Sequence, residues 1–329
     1  MNDRINWDKL KFFSMIAVVM IHVSTLFLVT DADQMNYWAL SFNQAARFSV
    51  PAFLLASGYG LIVSKKDEQG YLPFIIGRSK KILPMFLTAS LFYYIVFTRQ
   101  VSSILTIKGI LTIIIGKSYY HLYFIVILFM CYLIFPIISK LVRSKGKLVL
   151  LISLITQIIS QILGILQIIK ISEYNLLNWI FYFVLGIYLA IYGREKKASF
   201  ILSILIVLTT LLLAIGSSVY IYSNTYNISL ATTSMSPIIM LFALSLSSTL
   251  LYHPLKIDKL LKLNISFYFY LIHPFFIAVF SKLLKIEGNK SFIMLLVMFT
   301  LVLISSMVAS SLITFFVTFF KKKIPHSLI

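Results

Sequence analysis

Ten long apolar runs, separated by short polar segments, dominate the pattern of hydrophobic and polar residues along the chain. A helix needs about 20 apolar residues to cross the hydrocarbon core of a bilayer. We therefore predict an all-α fold: a polytopic integral membrane protein whose transmembrane helices, about ten in number, form a single domain over residues 1–329. The predicted spans are 10–29, 44–64, 82–98, 121–139, 148–169, 177–193, 199–222, 236–252, 266–284 and 291–320.

Composition supports a membrane protein. Of the 329 residues, 60% are hydrophobic and only 12% are charged, whereas about a quarter of the residues in a soluble domain are charged. The stretch from Ile104 to Gly116 is apolar but short, so we expect it to lie at the outer interface or to re-enter the membrane. The last run is longer than a bilayer needs and should tilt or extend beyond it.

The distribution of basic residues predicts the orientation of the spans. The net charge is +19, and most of the 29 Lys and Arg residues fall in connections on one side of the predicted bundle. Loops rich in Lys and Arg stay in the cytoplasm, so we place both termini there. A nucleic-acid partner is not expected, because no basic segment has the aromatic interleaving or polar fold that such binding needs.

The first predicted span carries two residues suited to chemistry. Lys11 and His22 are eleven positions apart, which returns them to nearly the same face of a helix, roughly 16 Å apart along its axis. A neutral imidazole can take a proton from a hydroxyl and return it near pH 7. The structural alternatives are a core histidine bonded to a neighbouring helix and a lysine that only anchors the span at the interface.

Other predicted spans also contain polar residues that we consider candidates. The second span contains Pro51 and Gly58, and the small glycine allows close helix contact. A basic cluster at the inner face precedes Pro84, near which the third span is expected to begin. Taken singly, each candidate also has a topological, interfacial or core explanation. The candidates are Arg47, Ser57, Arg78, Lys81, His121 and His273.

The positions of the acidic residues argue against an ion-coupled transporter. None of the ten Asp and Glu residues falls in the middle of a predicted span, where proton- or sodium-coupled carriers usually need a carboxylate. Channels and flippases work without one, so that class stays open. The only cysteine, Cys131, cannot form an intramolecular disulfide.

Taken in order, several segments resemble the membrane-bound acyltransferase family 3, a group of O-acetyltransferase-like integral membrane proteins. Two positions depart from the family pattern: Lys11 stands where arginine is usual, and Tyr123 where tryptophan is usual. Lysine keeps the charge but loses the bidentate fork of arginine. The matching segments cover nearly the whole chain: Asp8–Lys11 with His22, Arg47 with Val50–Phe53 and Ser57–Tyr59, Arg78 with Ile82–Pro84, His121–Phe124, Phe183–Gly186 and Tyr270–Pro274.

The resemblance implies an activity and a location. Family members are bacterial inner-membrane proteins that transfer an acyl group from a cytosolic coenzyme A thioester to a hydroxyl of a surface glycan or its lipid-linked precursor. For this chain it implies a multi-pass O-acyltransferase of the bacterial cell membrane. The expected donor is acyl-CoA, with acetyl-CoA first and succinyl-CoA second, and no metal is expected. The expected partners are the lipid bilayer, a carbohydrate or lipid-linked glycan acceptor, and other glycan-assembly proteins.

The same resemblance gives the candidate residues roles. His22 and His273 are expected to be catalytic, with His22 as general base or acyl carrier. Coenzyme A phosphates are expected to bind Lys11, Arg78 and Lys81 at the cytoplasmic face, while the pantetheine arm runs outward along the first helix towards His22. The acceptor is expected to bind from outside at Arg47, His121 and Ser57.

Two other functions fit the same composition. The first is a transporter or flippase of polysaccharide or lipid-linked sugar, which would consume no thioester. The second is a non-catalytic membrane partner in a glycan-assembly complex, in which substitution of both His22 and His273 would leave the phenotype intact.

Overall fold

In the computed structural model, residues 7–29, 34–98, 101–170, 172–193, 199–253 and 265–323 are described. Within these ranges the predicted all-α class is confirmed: helices and turns form the chain, and an isolated bridge joins Val29 to Met35. The α-helices are α1 (Trp7–Thr25), α2 (Tyr37–Ala46), α3 (Ser49–Val63), α4 (Tyr71–Tyr93), α5 (Ile107–Ile114), α6 (Tyr123–Ile165), α7 (Ile180–Tyr192), α8 (Phe200–Thr225), α9 (Ile228–Ala231), α10 (Pro237–Tyr252), α11 (Ser266–Leu283) and α12 (Phe292–Lys323).

Within the described ranges, six helical segments are long and apolar enough to cross a membrane. Two shorter apolar helices, α7 and α10, add to them. The first turns of α1 carry Asp8, Lys9 and Lys11, which lower its hydropathy, so α1 is not one of the six. The six segments are Tyr37–Val63, Tyr71–Phe97, Tyr123–Ile165, Phe200–Thr225, Ser266–Leu283 and Phe292–Phe319.

Several residues that carry the predicted orientation lie outside the described ranges. These are the basic clusters within 194–198 and 254–264 and both chain ends, 1–6 and 324–329. The ten spans and the cytoplasmic termini therefore stay predictions. For the last span, α12 has 32 residues, which at 1.5 Å per residue is about 48 Å. It is longer than the roughly 30 Å hydrocarbon core, as the sequence indicated.

Helix α6 covers two predicted spans, 121–139 and 148–169, in one stretch of 43 residues. The segment between them was expected to be a basic connection, and its lysine and arginine residues favour helix up to a break. The helical conformation is interrupted at Lys145, with φ −135° and ψ 44°. The Tyr192 hydroxyl donates to the carbonyl oxygen of Arg143 at 2.7 Å, next to the break.

The third span begins earlier than the sequence indicated. We expected it to start near Pro84, at residue 82, but α4 begins at Tyr71 and holds Pro84 in its interior. The basic residues Arg78, Lys80 and Lys81 suggested a loop, yet lysine and arginine are good helix formers when their charged ends reach polar surroundings. The basic cluster is therefore helical.

The described residues divide into two compact units. Unit 1 comprises Met1–Ser49, Lys197–Ser234 and Ile238–Ile329, and unit 2 comprises Val50–Lys196 and Met235–Pro237. In unit 1, α1 packs against α2, α11 and α12. Leu10, Val19 and Val23 of α1 are fully buried. A helix that buries several of its faces is a core element, so α1 lies at the centre of unit 1.

In unit 2, α3 and α7 approach closely through two glycines. A Cβ at Gly58 would overlap the carbonyl oxygen of Phe183, and one at Gly186 would overlap the carbonyl oxygen of Leu55 and lie 2.9 Å from the amide nitrogen of Tyr59. Small residues let helix backbones approach in this way. The contact that the sequence indicated at Gly58 is thus present, and its partner is the Phe183–Gly186 segment.

The short apolar segment before α6 forms α5. Its side chains Ile107, Leu111 and Ile114 are exposed, although they are apolar. Exposed apolar side chains on a short helix are typical of a segment in contact with lipid. Its location at the outer interface stays a prediction.

Candidate active site

Two histidines of unit 1 stack against each other. The rings of His22 in α1 and His273 in α11 have centroids 5.5 Å apart and planes inclined by 26°. His273 is fully buried and His22 is half-buried. The two histidines expected to be catalytic therefore lie side by side, and His273 is the more deeply buried of them.

The protonation pattern of His273 follows from its hydrogen bond. Nδ1 lies 3.2 Å from the carbonyl oxygen of Phe269. A carbonyl oxygen only accepts, so Nδ1 carries the hydrogen and Nε2 is the unprotonated nitrogen of the neutral ring. The Phe269 ring also stacks on His273, which restricts how the imidazole can turn. His273 thus presents a fixed face to His22.

A guanidinium belongs to the same cluster. Arg47, at the C-terminal end of α2, shares the hydrogen-bond partner Asn43 with Ile21, the residue before His22. Its Nη1 donates to the Ser234 hydroxyl at 3.2 Å, and its Nε and Nη2 donate to the side-chain oxygen of Asn43 at 2.9 and 2.7 Å. The sequence analysis missed Asn43. The sequence offered no signal for it beyond an amide one helical turn before a cation.

The other end of α1 carries two lysines with different surroundings. Lys11 donates to Asp8 at 3.2 Å, and both side chains are about half exposed. An exposed ion pair of this kind is worth about 0.3–0.5 kcal/mol, so the lysine is readily recruited by an anion. Lys9 is only 1% exposed, and its Nζ donates to the carbonyl oxygen of His253 at 2.7 Å. Sequence reasoning treated Lys9 as topological and missed its burial.

Unit 2 brings together two of the other predicted residues, Arg78 and Ser57, through a residue that the sequence analysis missed. The Arg78 guanidinium lies 5.6 Å from the ring centroid of Phe74 and 5.5 Å from that of Tyr132, within the range of cation–π attraction. The hydroxyl of Tyr132 is 3.0 Å from that of Ser57. Tyr132 therefore connects a predicted donor-binding residue to a predicted acceptor-binding one.

The remaining two predicted residues of unit 2 are a buried histidine and an exposed lysine. His121 is 1% exposed and makes edge contacts with the rings of Tyr93, Tyr119 and Tyr120 at 4.9, 5.9 and 5.8 Å. Burial raises the pKa of Tyr119, so its hydroxyl stays protonated at neutral pH. Lys81 is exposed on α4. His121 thus lies in an aromatic cluster, and Lys81 is accessible to an anion.

In the described part of the chain, no group of three or more His, Cys, Asp or Glu side chains could hold a metal ion. The expectation that no metal takes part stays a prediction.

Comparison with known proteins adds a decisive observation. The sequence profile of an acyltransferase domain matches residues 4–315. The chain belongs to acyltransferase family 3. Neither curated proteins nor solved structures yield a match to it. Family 3 membership, together with several long apolar helices, identifies a multi-pass membrane acyltransferase.

Proposed function

We propose that the protein is an O-acyltransferase that moves an acyl group, acetyl first and succinyl second, from cytosolic acyl-CoA to a hydroxyl of a surface or lipid-linked glycan. The observation that carries this proposal is the stacking of His22 on a fixed His273 in a member of acyltransferase family 3. Arg47 shares the partner Asn43 with Ile21, the residue before His22. Such an arrangement suits proton transfer from a hydroxyl and the binding of negative charge.

In the proposed reaction His22 is the general base. The acceptor oxygen attacks the thioester carbonyl carbon while its proton passes to His22. Negative charge that develops on the carbonyl oxygen is stabilised by Arg47. The carbon–sulfur bond then breaks, and the departing thiolate takes the proton from His22. The products are the glycan ester and free coenzyme A. His273 supports His22 by stacking and does not itself touch the substrate.

The remaining residues are proposed to bind the two substrates. Lys11, Arg78 and Lys81 supply positive charge to the donor's phosphates. Ser57 and His121 contribute to acceptor binding. Each of these side chains has polar or ring contacts of its own or is exposed, as described above, but none of them carries the proposal.

The topology is part of the proposal. The break in α6 divides it into two segments of roughly 20 residues, each long enough for one crossing. With α1, α7 and α10 added to the six long segments, ten crossings follow, and both termini lie in the cytoplasm of a bacterial inner membrane. Acyl-CoA is a cytosolic donor, so this orientation gives Lys11 access to it.

The experiment measures esters released by mild base from envelope glycans. Strains with the wild-type protein, without it, with His22→Ala and with His253→Gln are compared. His253 contacts Ser203 and Phe200 at the other end of unit 1, so its variant is a matched control. We expect one ester to be lost without the protein and with His22→Ala, and kept with His253→Gln.

Other results would contradict the proposal. An ester retained with His22→Ala, at normal protein level in the membrane, excludes His22 as the base. An unchanged ester profile in all strains, with glycan trapped inside the cell, indicates a transporter or flippase instead.

A further inference from the structure

We propose that Asn43 is a positioning residue that fixes the Arg47 guanidinium against the turn of α1 that carries His22. This inference rests on the proposed function, because it assigns Arg47 a role in acyl transfer. Asn43 lies in α2, is fully buried, and makes hydrogen bonds to both elements.

The side-chain oxygen of Asn43 holds Arg47. It accepts from Nε at 2.9 Å and from Nη2 at 2.7 Å. Two N–H groups on one edge of a planar guanidinium that converge on one acceptor fix both its position and its plane. Ser234 accepts from Nη1, so the guanidinium is held on two sides.

The side-chain nitrogen of Asn43 holds α1. It donates to the carbonyl oxygen of Ile21 at 3.0 Å and to the hydroxyls of Ser24 and Thr25, both at 3.1 Å. Those hydroxyls in turn donate to the Ile21 carbonyl. Ile21 directly precedes His22, so this amide reaches the turn that bears the proposed base.

Only an amide side chain can both accept from Arg47 and donate to the Ile21 carbonyl oxygen. Arginine can only donate and a carbonyl can only accept, so the partners themselves define which end of Asn43 is oxygen and which is nitrogen. A carboxylate has no hydrogen for Ile21, and alanine leaves a buried set of polar groups without this bridge. Because a misplacement of about 1 Å can cost on the order of a hundredfold in rate, loss of the bridge should act mainly on kcat.

The test compares Asn43→Ala with Gln44→Ala in the purified full-length protein, with acyl-CoA and acceptor glycan. Gln44 is the next residue and is equally buried, and its side chain donates to the carbonyl oxygen of Ala231 at 3.3 Å, a bond in which the Arg47 side chain takes no part. Both variants lose one buried amide. We expect Asn43→Ala to lower kcat at least tenfold with little change in KM for acyl-CoA, and Gln44→Ala to stay within about threefold of wild type.

A double-mutant cycle separates positioning from general damage. In an Arg47→Lys background, which keeps the charge but loses the fork, Asn43→Ala should cost less than about threefold. A purely structural role would cost the same factor in both backgrounds and would overturn the inference, as would an equal loss with Gln44→Ala. If Asn43→Ala does not accumulate, Asn43→Ser replaces it, because the single oxygen of the shorter serine side chain does not extend to both Arg47 and Ile21, and the same outcomes apply.

Failure of the inference differs from failure of the proposed function. A wild-type protein that consumes no thioester contradicts the function. A wild-type protein that is active and sensitive to His22→Ala, yet indifferent to Asn43→Ala, contradicts only the role of Asn43.

Discussion

The contact between α3 and α7 predicts opposite effects for two glycines of the same helix. Gly58 faces the Phe183 carbonyl, whereas nothing lies within 4 Å of a Cβ at Gly60. Alanine at either position removes backbone freedom from the unfolded chain, which stabilises a helix by about 0.5–1 kcal/mol. At Gly58 the added methyl group must also push two backbones apart.

The size of the effect follows from this geometry. Overpacking a tight contact costs about 1–3 kcal/mol, and a backbone carbonyl cannot turn away as a flexible side chain can. After the helix gain is set against this cost, Gly58→Ala should destabilise the protein by about 1–2 kcal/mol. Gly60→Ala should be neutral or stabilising by up to about 1 kcal/mol.

The assay is thermal unfolding of the detergent-solubilised protein, followed by size-exclusion chromatography. We expect the midpoint to fall by a few degrees for Gly58→Ala and to stay or rise for Gly60→Ala. Equal midpoints for the two variants would refute the argument, because they would mean that α3 and α7 do not approach at Gly58.

Two further predictions concern the substrate sites. Tyr132→Phe keeps the ring beside Arg78 but removes the hydroxyl that contacts Ser57. We expect the rate of acyl transfer to fall by about twofold to tenfold, the equivalent of one hydrogen bond. An unchanged initial rate would exclude a role of that hydroxyl in the reaction. Lys11→Arg should be tolerated and Lys11→Gln should raise KM for acyl-CoA several-fold at unchanged kcat; equal KM values for both variants would remove Lys11 from donor binding.

Most helices could be predicted from the sequence, because apolar runs are continuous and charges mark their ends. The exceptions have a common cause. The beginning of α4 and the helical backbone leading up to the break at Lys145 were missed because Arg78, Lys81 and Arg143 are charged, and charge suggests a connection even where the residues favour helix. Hydropathy measures affinity for lipid, and a helix can extend beyond the lipid.

The candidate site was only partly predictable. His22 and His273 were found separately because an imidazole inside an apolar run is conspicuous. Their stacking could not be predicted, since it depends on how α1 and α11 pack. Asn43 and Tyr132 were missed for the same reason: only the partners of these side chains reveal a bridging role.

The break at Lys145 bears on whether the number of membrane crossings is even or odd. If α6 crosses twice, the number of crossings is even and both ends of the protein face the same compartment. The positively charged residues around the break favour this arrangement, since they are attracted to anionic headgroups and resist burial in hydrocarbon. In that arrangement, one residue with non-helical backbone angles reverses the sidedness of every element that follows it.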